Sequence, residues 1–148
     1  MDDPYDLARY VRAQEPVFAD VCAELAGGRK QSHWMWFIFP QLRGLGSSPM
    51  AQRYAIDSLA EARAYLAHPL LGERLRTCTQ LVNRIERRSA QEIFGDPDEM
   101  KFRSSMTLFA RASAGSSEPF GTALAKYFAG EQDPLTRELL ETTPRNHA

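Results

Sequence analysis

The sequence predicts an all-α protein: a single compact domain of about eight or nine short to medium helices. Three observations lead to this prediction. Apolar residues recur at helical spacing through most of the 148-residue chain, residues typical of helix ends separate those stretches, and no convincing strand-like alternation of apolar and polar residues is present. A chain of this length is typical of one domain around one core.

The clearest apolar stripes repeat every three or four residues in three parts of the chain. They consist of Val17, Phe18, Val21, Cys22 and Leu25, of Leu71, Leu75, Cys78, Val82 and Ile85, and of Phe120, Leu124, Tyr127 and Phe128. Each stripe would bury one side of a helix against a shared core. Because a free cysteine behaves as a small buried hydrophobe, we expect Cys22 and Cys78 to be reduced and enclosed.

Capping residues predict where the helices begin. Proline follows Asp3, Asp96 and Asp133, and such a pair is typical of an N-cap with proline at the first helical position. Ser58 and Ser89 are each followed three residues later by glutamate, which matches the capping box. Five helix starts are therefore predicted from local chemistry alone.

Helix ends are predicted at Gly27 and Gly130, because glycine readily adopts the left-handed conformation that follows a last turn. Periodicity and caps together predict helices over residues 4–13, 15–26, 49–56, 58–67, 70–87, 89–94, 97–113, 118–129 and 133–141. We expect one domain over residues 1–148, with an ordered core from about residue 4 to residue 141 and a frayed tail, TPRNHA, after Thr142.

The composition argues against several functional classes. Eighteen Lys and Arg residues against nineteen Asp and Glu residues give a net charge of −1, so nucleic-acid binding is the weakest hypothesis. No apolar run approaches the roughly 18 residues that cross a bilayer, and the acidic start MDDPYDLARY is unlike a signal peptide. The histidines and cysteines lack the spacing of metal ligands. We therefore expect a cytoplasmic protein without a membrane partner, a metal or another cofactor.

One segment departs from the helical pattern. Residues 30–48 read KQSHWMWFIFPQLRGLGSS and contain both tryptophans, with neither a helical nor a strand period. A short run that is apolar on every side must be enclosed on every side, so it would form a hydrophobic plug, either a helical turn or an extended piece. The side chains of this plug would be Trp34, Met35, Phe37 and Ile38. Alternatively, Trp34 or Trp36 would wall a ligand pocket, with His33 as a polar group rather than a core residue.

The end of this segment carries glycines and serines just before a predicted helix. Glycines at such a place let backbone N–H groups converge on an anion, which makes Gly44, Gly46 and Ser48 candidate ligand-binding residues, together with Gln41. An ordinary turn with Ser48 as the N-cap of the next helix explains the same residues. Both interpretations stay open at this point.

The helix predicted over residues 97–113 is apolar on most of its circumference, yet Lys101, Ser104 and Ser105 share one sector of it. A lysine that is turned toward an interior must pair or lower its pKa, and both are common at functional sites. Alternatively, Lys101 reaches solvent along its aliphatic stem or pairs with Asp98 or Glu99.

These residues lead to two functional hypotheses. In the first, the protein binds or processes a small anionic, nucleotide-like ligand, with His33, Lys101 and Ser104 as catalytic candidates. The ligand-binding candidates are Trp34, Trp36, Gln41, Gly44, Gly46 and Ser48. In the second, the chain is a non-catalytic interaction or regulatory module whose aromatic segment is only core. Whether the protein is an enzyme and how many copies associate are left open.

Four stretches resemble a bacterial family of unknown function whose members are often labelled calpastatin, exemplified by a mycobacterial conserved hypothetical protein. The stretches are KQSHWMWFIFPQLRGLGSS, YAIDSLAEARAYLAHPLLGERL, FGDPDEMKFRSSMTLFARA and YFAGEQDPLT, and the resemblance covers roughly residues 4–140. It implies an all-helical domain without an established activity. The residues at the family's signature positions are His33, Trp34, Trp36, Pro40, Gln41, Lys101, Ser104, Thr107 and Asp133.

The calpastatin label does not suit this chain. Calpastatin-type inhibitors are disordered segments of low hydrophobicity, whereas apolar stripes and helix caps run through this sequence.

Overall fold

Ten α-helices account for most of residues 3–113 and 115–142, the part of the chain that the computed structural model describes. Their bounds are α1 Ala8–Gln14, α2 Phe18–Ala26, α3 Met35–Ile38, α4 Pro49–Arg53, α5 Leu59–Ala67, α6 Leu71–Arg84, α7 Ala90–Phe94, α8 Asp98–Ala112, α9 Phe120–Phe128 and α10 Pro134–Thr142. A single parallel bridge joins Leu42 to Ile56 within these residues. The all-α fold of one domain is therefore confirmed.

Each of the nine predicted helices has a counterpart, and most are shorter than predicted at one or both ends. The first begins at Ala8 rather than at residue 4, because the Asp3 carboxylate accepts the N–H groups of Leu7 and Ala8 at 2.7 and 3.0 Å and holds residues 3–6 in a turn. Helix α3 is additional to the nine predicted helices. It lies in the aromatic segment, for which a helical turn was one of the two predicted forms. The predicted frayed tail after Thr142 lies outside the described residues.

The predicted caps have mixed outcomes. Ser89 forms the complete capping box at the start of α7, and Asp133 accepts the Thr136 N–H at 2.9 Å at the start of α10. The cap predicted at Asp96 is wrong, because α8 begins two residues later, at Asp98, and no side chain caps it at the preceding Pro97. Asp98 itself forms ion pairs with Lys30 and Lys101.

The predicted helix ends also differ in outcome. Gly130 follows the last turn of α9 with φ 79°, as predicted. At the end of α2, Gly27 keeps a right-handed φ of −79°, and Gly28 is the residue with the left-handed φ of 88°. The prediction for α2 was therefore off by one residue.

Helix α8 lies at the centre of the fold and packs against α5, α7, α9 and α10. Its buried residues fall on most of its circumference, as its sequence predicted. Phe102 on this helix stacks on Phe94 with ring centroids 4.6 Å apart and meets the edge of Phe39 at 5.0 Å. The plug residues complete the same core, since Trp34, Met35, Phe37 and Ile38 are all buried.

Cys78 is completely buried on α6, whereas Cys22 on α2 is half-buried. Burial raises the pKa of both thiols, which leaves little thiolate at neutral pH. We expect both cysteines to react slowly with a thiol reagent such as DTNB in the native protein and at once in guanidinium chloride. A Cys22→Ser variant isolates Cys78, and rapid native labelling of that variant would contradict the burial of Cys78.

Candidate functional site

Two lysines from distant parts of the chain share one carboxylate at the start of α8. The Lys30 ammonium lies 2.9 Å from Asp98 Oδ2, and the Lys101 ammonium lies 3.5 Å from Asp98 Oδ1. The Lys30 side chain is 9% exposed and that of Lys101 is 24% exposed. Because two ammonium groups face a single carboxylate, the three groups together carry one excess positive charge.

Each of these ammonium groups also lies over a tryptophan ring. Lys30 Nζ is 5.1 Å from the ring centroid of Trp34, and Lys101 Nζ is 5.4 Å from that of Trp36. Both distances are within the range of cation–π attraction. We call Lys30, Trp34, Trp36, Asp98 and Lys101 the lysine–tryptophan cluster; it joins the start of α8 to the start of α3.

Glu24 on α2 holds the loop that leads into this cluster. Its Oε1 accepts the backbone N–H groups of Gln31 and Ser32 and the indole N–H of Trp34 at 2.9 Å, and its Oε2 accepts the Ser32 hydroxyl at 2.6 Å. Burial by itself would raise the pKa of Glu24, but these hydrogen bonds outweigh it and lower the pKa. The carboxylate therefore stays ionised near neutral pH and positions Trp34.

Trp36 differs from Trp34 in the burial of its ring and in the bonding of its indole N–H. Its ring is only half-buried, while its Nε1 is buried and has no hydrogen-bond acceptor among the described residues. A buried donor without an acceptor costs about 1–3 kcal/mol. The cluster thus contains an excess positive charge and, beside it, an unused hydrogen-bond donor.

The other catalytic candidates occupy different environments. His33 is exposed, so its interpretation as an enclosed core residue is wrong, and it directly precedes Trp34 in the chain. Ser104 is buried one turn after Lys101, and its hydroxyl donates to the Met100 carbonyl at 3.0 Å. Lys101 pairs with Asp98, which was one of the alternatives for this residue.

The glycine-containing turn has a structural role that its sequence also allowed. Ser48 Oγ accepts the Ala51 N–H at 3.1 Å and is the N-cap of α4. At Gly46 a Cβ atom would lie 2.7 Å from Ala51 Cβ, so the close approach of α4 requires glycine there. None of the turn's hydrogen bonds in the described part of the chain reaches the lysine–tryptophan cluster.

The two remaining candidates in this region carry backbone roles. Gln41 is half-buried, and its carbonyl accepts the Ile56 N–H at 2.9 Å. Gly44 is exposed with φ 104°, a left-handed conformation that favours glycine. Anion binding by this turn therefore stays a prediction.

Sequence reasoning missed two residues of the site. Asp98 was named only as a partner of Lys101, and its contact with Lys30 depends on the path of the loop after α2. Glu24 was not singled out, although it is a partly buried acid beside the apolar stripe of α2. Helix α2 carries two acids, Asp20 and Glu24, and the signal for Glu24 was its position one residue before Leu25 of the apolar stripe.

The chain is similar to a known protein family and to a protein of known structure. Residues 4–140 match the model of a family described as a protein of unknown function, DUF1810. This chain belongs to the DUF1810 family. The chain is also similar to the conserved hypothetical protein Rv1873 from Mycobacterium tuberculosis, with 59% sequence identity and a TM-score of 0.93 to its crystal structure. That match covers 95% of this chain and 100% of the other.

No curated protein is significantly similar to the chain. The match to the DUF1810 family and to the mycobacterial protein confirms the resemblance that the four stretches indicated. The DUF1810 family is described as one of unknown function. No helix in residues 3–113 and 115–142 is both long and apolar enough to cross a membrane.

Proposed function

We propose that the lysine–tryptophan cluster binds a small anionic ligand that carries a planar group, such as a nucleotide. The observation that supports this proposal is the sharing of Asp98 by two lysines beside Trp36. An anion placed there would neutralise the excess positive charge, and one of its oxygen atoms would accept the buried Trp36 N–H. The half-exposed indole ring offers a planar group a surface for stacking.

Lys101 is the cation that an anion would meet first. It is the more exposed of the two lysines, and its contact with Asp98 is the longer one, at 3.5 Å against 2.9 Å for Lys30. Lys101 would therefore turn toward the ligand while Lys30 keeps Asp98 neutralised. The preference for an anion follows because the two lysines share the single negative charge of Asp98, so a second negative charge would balance them.

The exposed position of His33 next to Trp34 suits a group that exchanges protons with a bound ligand. Ser104 is less suited to nucleophilic chemistry, because its hydroxyl hydrogen is already donated to Met100. If the ligand is processed, we expect His33 and Lys101 to carry the chemistry. Gln41, Gly44, Gly46 and Ser48 remain candidates for the rim of the site.

A second function is favoured by the burial of half the cluster. Trp34 is 1% exposed and its indole N–H is bonded to Glu24, so this part of the cluster is complete without a ligand. If the same holds for Lys101 and Trp36, the cluster only joins α3 to α8, and the protein is an interaction or regulatory module without a small ligand.

The variant Lys101→Met separates these two functions. If Lys101 binds the ligand, the variant should keep or raise its melting temperature, because a partly desolvated charge is removed, and should bind AMP or inorganic phosphate at least tenfold more weakly, which is about 1.4 kcal/mol. Calorimetric titration measures the affinity, and the fluorescence of the two tryptophans reports binding at the cluster.

Lys126→Met is the matched control, because it removes the same charge from a lysine that contacts Glu86 outside the cluster. Its affinity for AMP should equal that of the parent protein. A Lys101→Met protein that is destabilised but still binds AMP would contradict the proposal, as would a parent protein that binds neither AMP nor phosphate at millimolar concentration.

A further inference from the structure

A cavity lies between α1 and the link from α5 to α6, and it shares no residue with the lysine–tryptophan cluster. Its volume is about 590 Å³, within the range of small-molecule sites. The apolar part of its wall comes from three segments. The apolar side chains of these segments that line the cavity are those of Pro4, Leu7, Ala8, Val11, Ala64 and Leu70.

One nitrogen of His68, on the wall of this cavity, is already occupied. Its Nδ1 accepts the N–H groups of Leu70 and Leu71, each at 3.2 Å, at the start of α6. An imidazole nitrogen that accepts two N–H groups carries no hydrogen, so the hydrogen of the neutral ring is on Nε2. The ring is therefore held in one orientation and one tautomer, with Nε2 as a donor that has no acceptor among the described residues.

The charged groups of the cavity wall favour a neutral ligand. Asp3 interacts electrostatically with His68, and the N–H groups of Ala8 and Leu7 lower the pKa of its carboxyl, so it is ionised at neutral pH. Arg12 is the opposing cation, with a side chain that is 70% exposed and a long contact of 4.0 Å to Asp6. A ligand carboxylate close to His68 would face the Asp3 charge, whereas a neutral acceptor would not.

We propose that this cavity binds a small, neutral, largely apolar molecule, and that His68 Nε2 donates a hydrogen bond to its one polar acceptor. The apolar wall supplies the affinity through burial of the ligand body. The oriented donor supplies the preference for a carbonyl or a similar group. This site is independent of the anion site, so both sites can be tested in the same protein.

Three probes of similar size test the proposal on the unaltered protein by NMR titration: acetophenone, ethylbenzene and benzoate. We expect acetophenone to shift the amide resonances of residues that line the cavity. Ethylbenzene, which lacks an acceptor, and benzoate, which is anionic, should each bind at least tenfold more weakly. Equal affinity for acetophenone and ethylbenzene, tighter binding of benzoate, or shifts that fall outside the cavity would overturn it.

His68→Asn tests the donor without removing the cap of α6. Asparagine is a favourable N-cap residue, so its side-chain oxygen can accept the same backbone N–H groups, but it has no group at the position of Nε2. We expect this variant to keep its melting temperature within a few degrees and to bind acetophenone at least tenfold more weakly. Unchanged acetophenone binding in a folded His68→Asn protein would contradict the role of Nε2.

Ala64→Phe and Val11→Phe test the cavity itself from two helices. Each adds a ring to the wall, and either variant that keeps a native circular dichroism spectrum should lose acetophenone binding. Lys101→Met should leave acetophenone binding unchanged, so a failure of the anion site and a failure of this cavity are distinguishable. Binding that survives both ring insertions would place the ligand elsewhere and end the proposal.

Discussion

Replacing Phe102 by alanine is expected to lower the free energy of unfolding by about 3–5 kcal/mol, the range typical of a buried phenylalanine. Phe102 has no exposed surface and contacts rings from three directions, including Phe39, Phe94 and Tyr127. Its removal would leave a cavity at the centre of α8 that these rigid rings cannot close. Urea unfolding followed by circular dichroism measures the loss.

Met100→Ala is the matched control for Phe102→Ala. Met100 lies on the same helix, but it is 45% exposed, so its truncation should change the stability by no more than about 0.5 kcal/mol. Similar losses for the two variants would contradict the central position of Phe102.

The second large effect is expected at Arg9, whose replacement by alanine should cost about 3–5 kcal/mol because it leaves a buried partner charge unpaired. The Arg9 guanidinium donates to Glu61 Oε2 at 3.3 Å and to the carbonyls of Arg53 and Ala55 at 2.9 and 3.0 Å. Glu61 is 1% exposed. This network ties α1 to α5 and to the link that follows α4.

The Arg9→Ala loss should depend on pH, because it acts through the ionisation of Glu61. Burial raises the pKa of Glu61 above its ordinary value, although the Asp57 N–H and Arg9 oppose the shift. A raised carboxyl pKa in the folded state contributes stability that is present at low pH and is lost as the pH rises through the folded value. Without Arg9 this pKa rises further, so the destabilisation should be larger near pH 7 than near pH 4.

Arg12→Ala is the control for Arg9→Ala, since it removes an arginine from the same helix whose side chain is 70% exposed. Its effect should stay within about 0.5 kcal/mol and show little change with pH. A loss of stability in Arg9→Ala that is independent of pH would show that Glu61 is not the group through which Arg9 acts.

Local chemistry predicted helix positions well and capping partners less well. Ser89 and Ser58 begin the same sequence motif, yet only Ser89 forms the reciprocal capping box. At Ser58 the hydroxyl accepts the Glu61 N–H, but the Glu61 carboxylate accepts the Asp57 N–H and meets Arg9 instead. A motif specifies which bonds are available within one turn, and a long-range partner decides which of them forms.

The candidate site shows the same limit. The sequence indicated that Trp36 and Lys101 were unusual for their surroundings. In the structure the Lys101 Nζ lies 5.4 Å from the ring centroid of Trp36. It could not indicate that Lys30 shares Asp98 with Lys101, because that contact joins the loop after α2 to the first turn of α8. The exposure of His33 could not be predicted either, because the segment around it has no clear helical or strand period.

The sequence was sufficient to predict the all-α class, the approximate helix positions and the burial of α8, because periodicity and capping act over one or two turns of a helix. It also determined the family, since the aromatic segment is specific. Contacts between distant segments explain why Trp34 is enclosed and bonded to Glu24 while Trp36 keeps an unused N–H beside Lys101. Those differences depend on which helices pack together, and the free energy of that packing comes from contacts between residues distant in the chain.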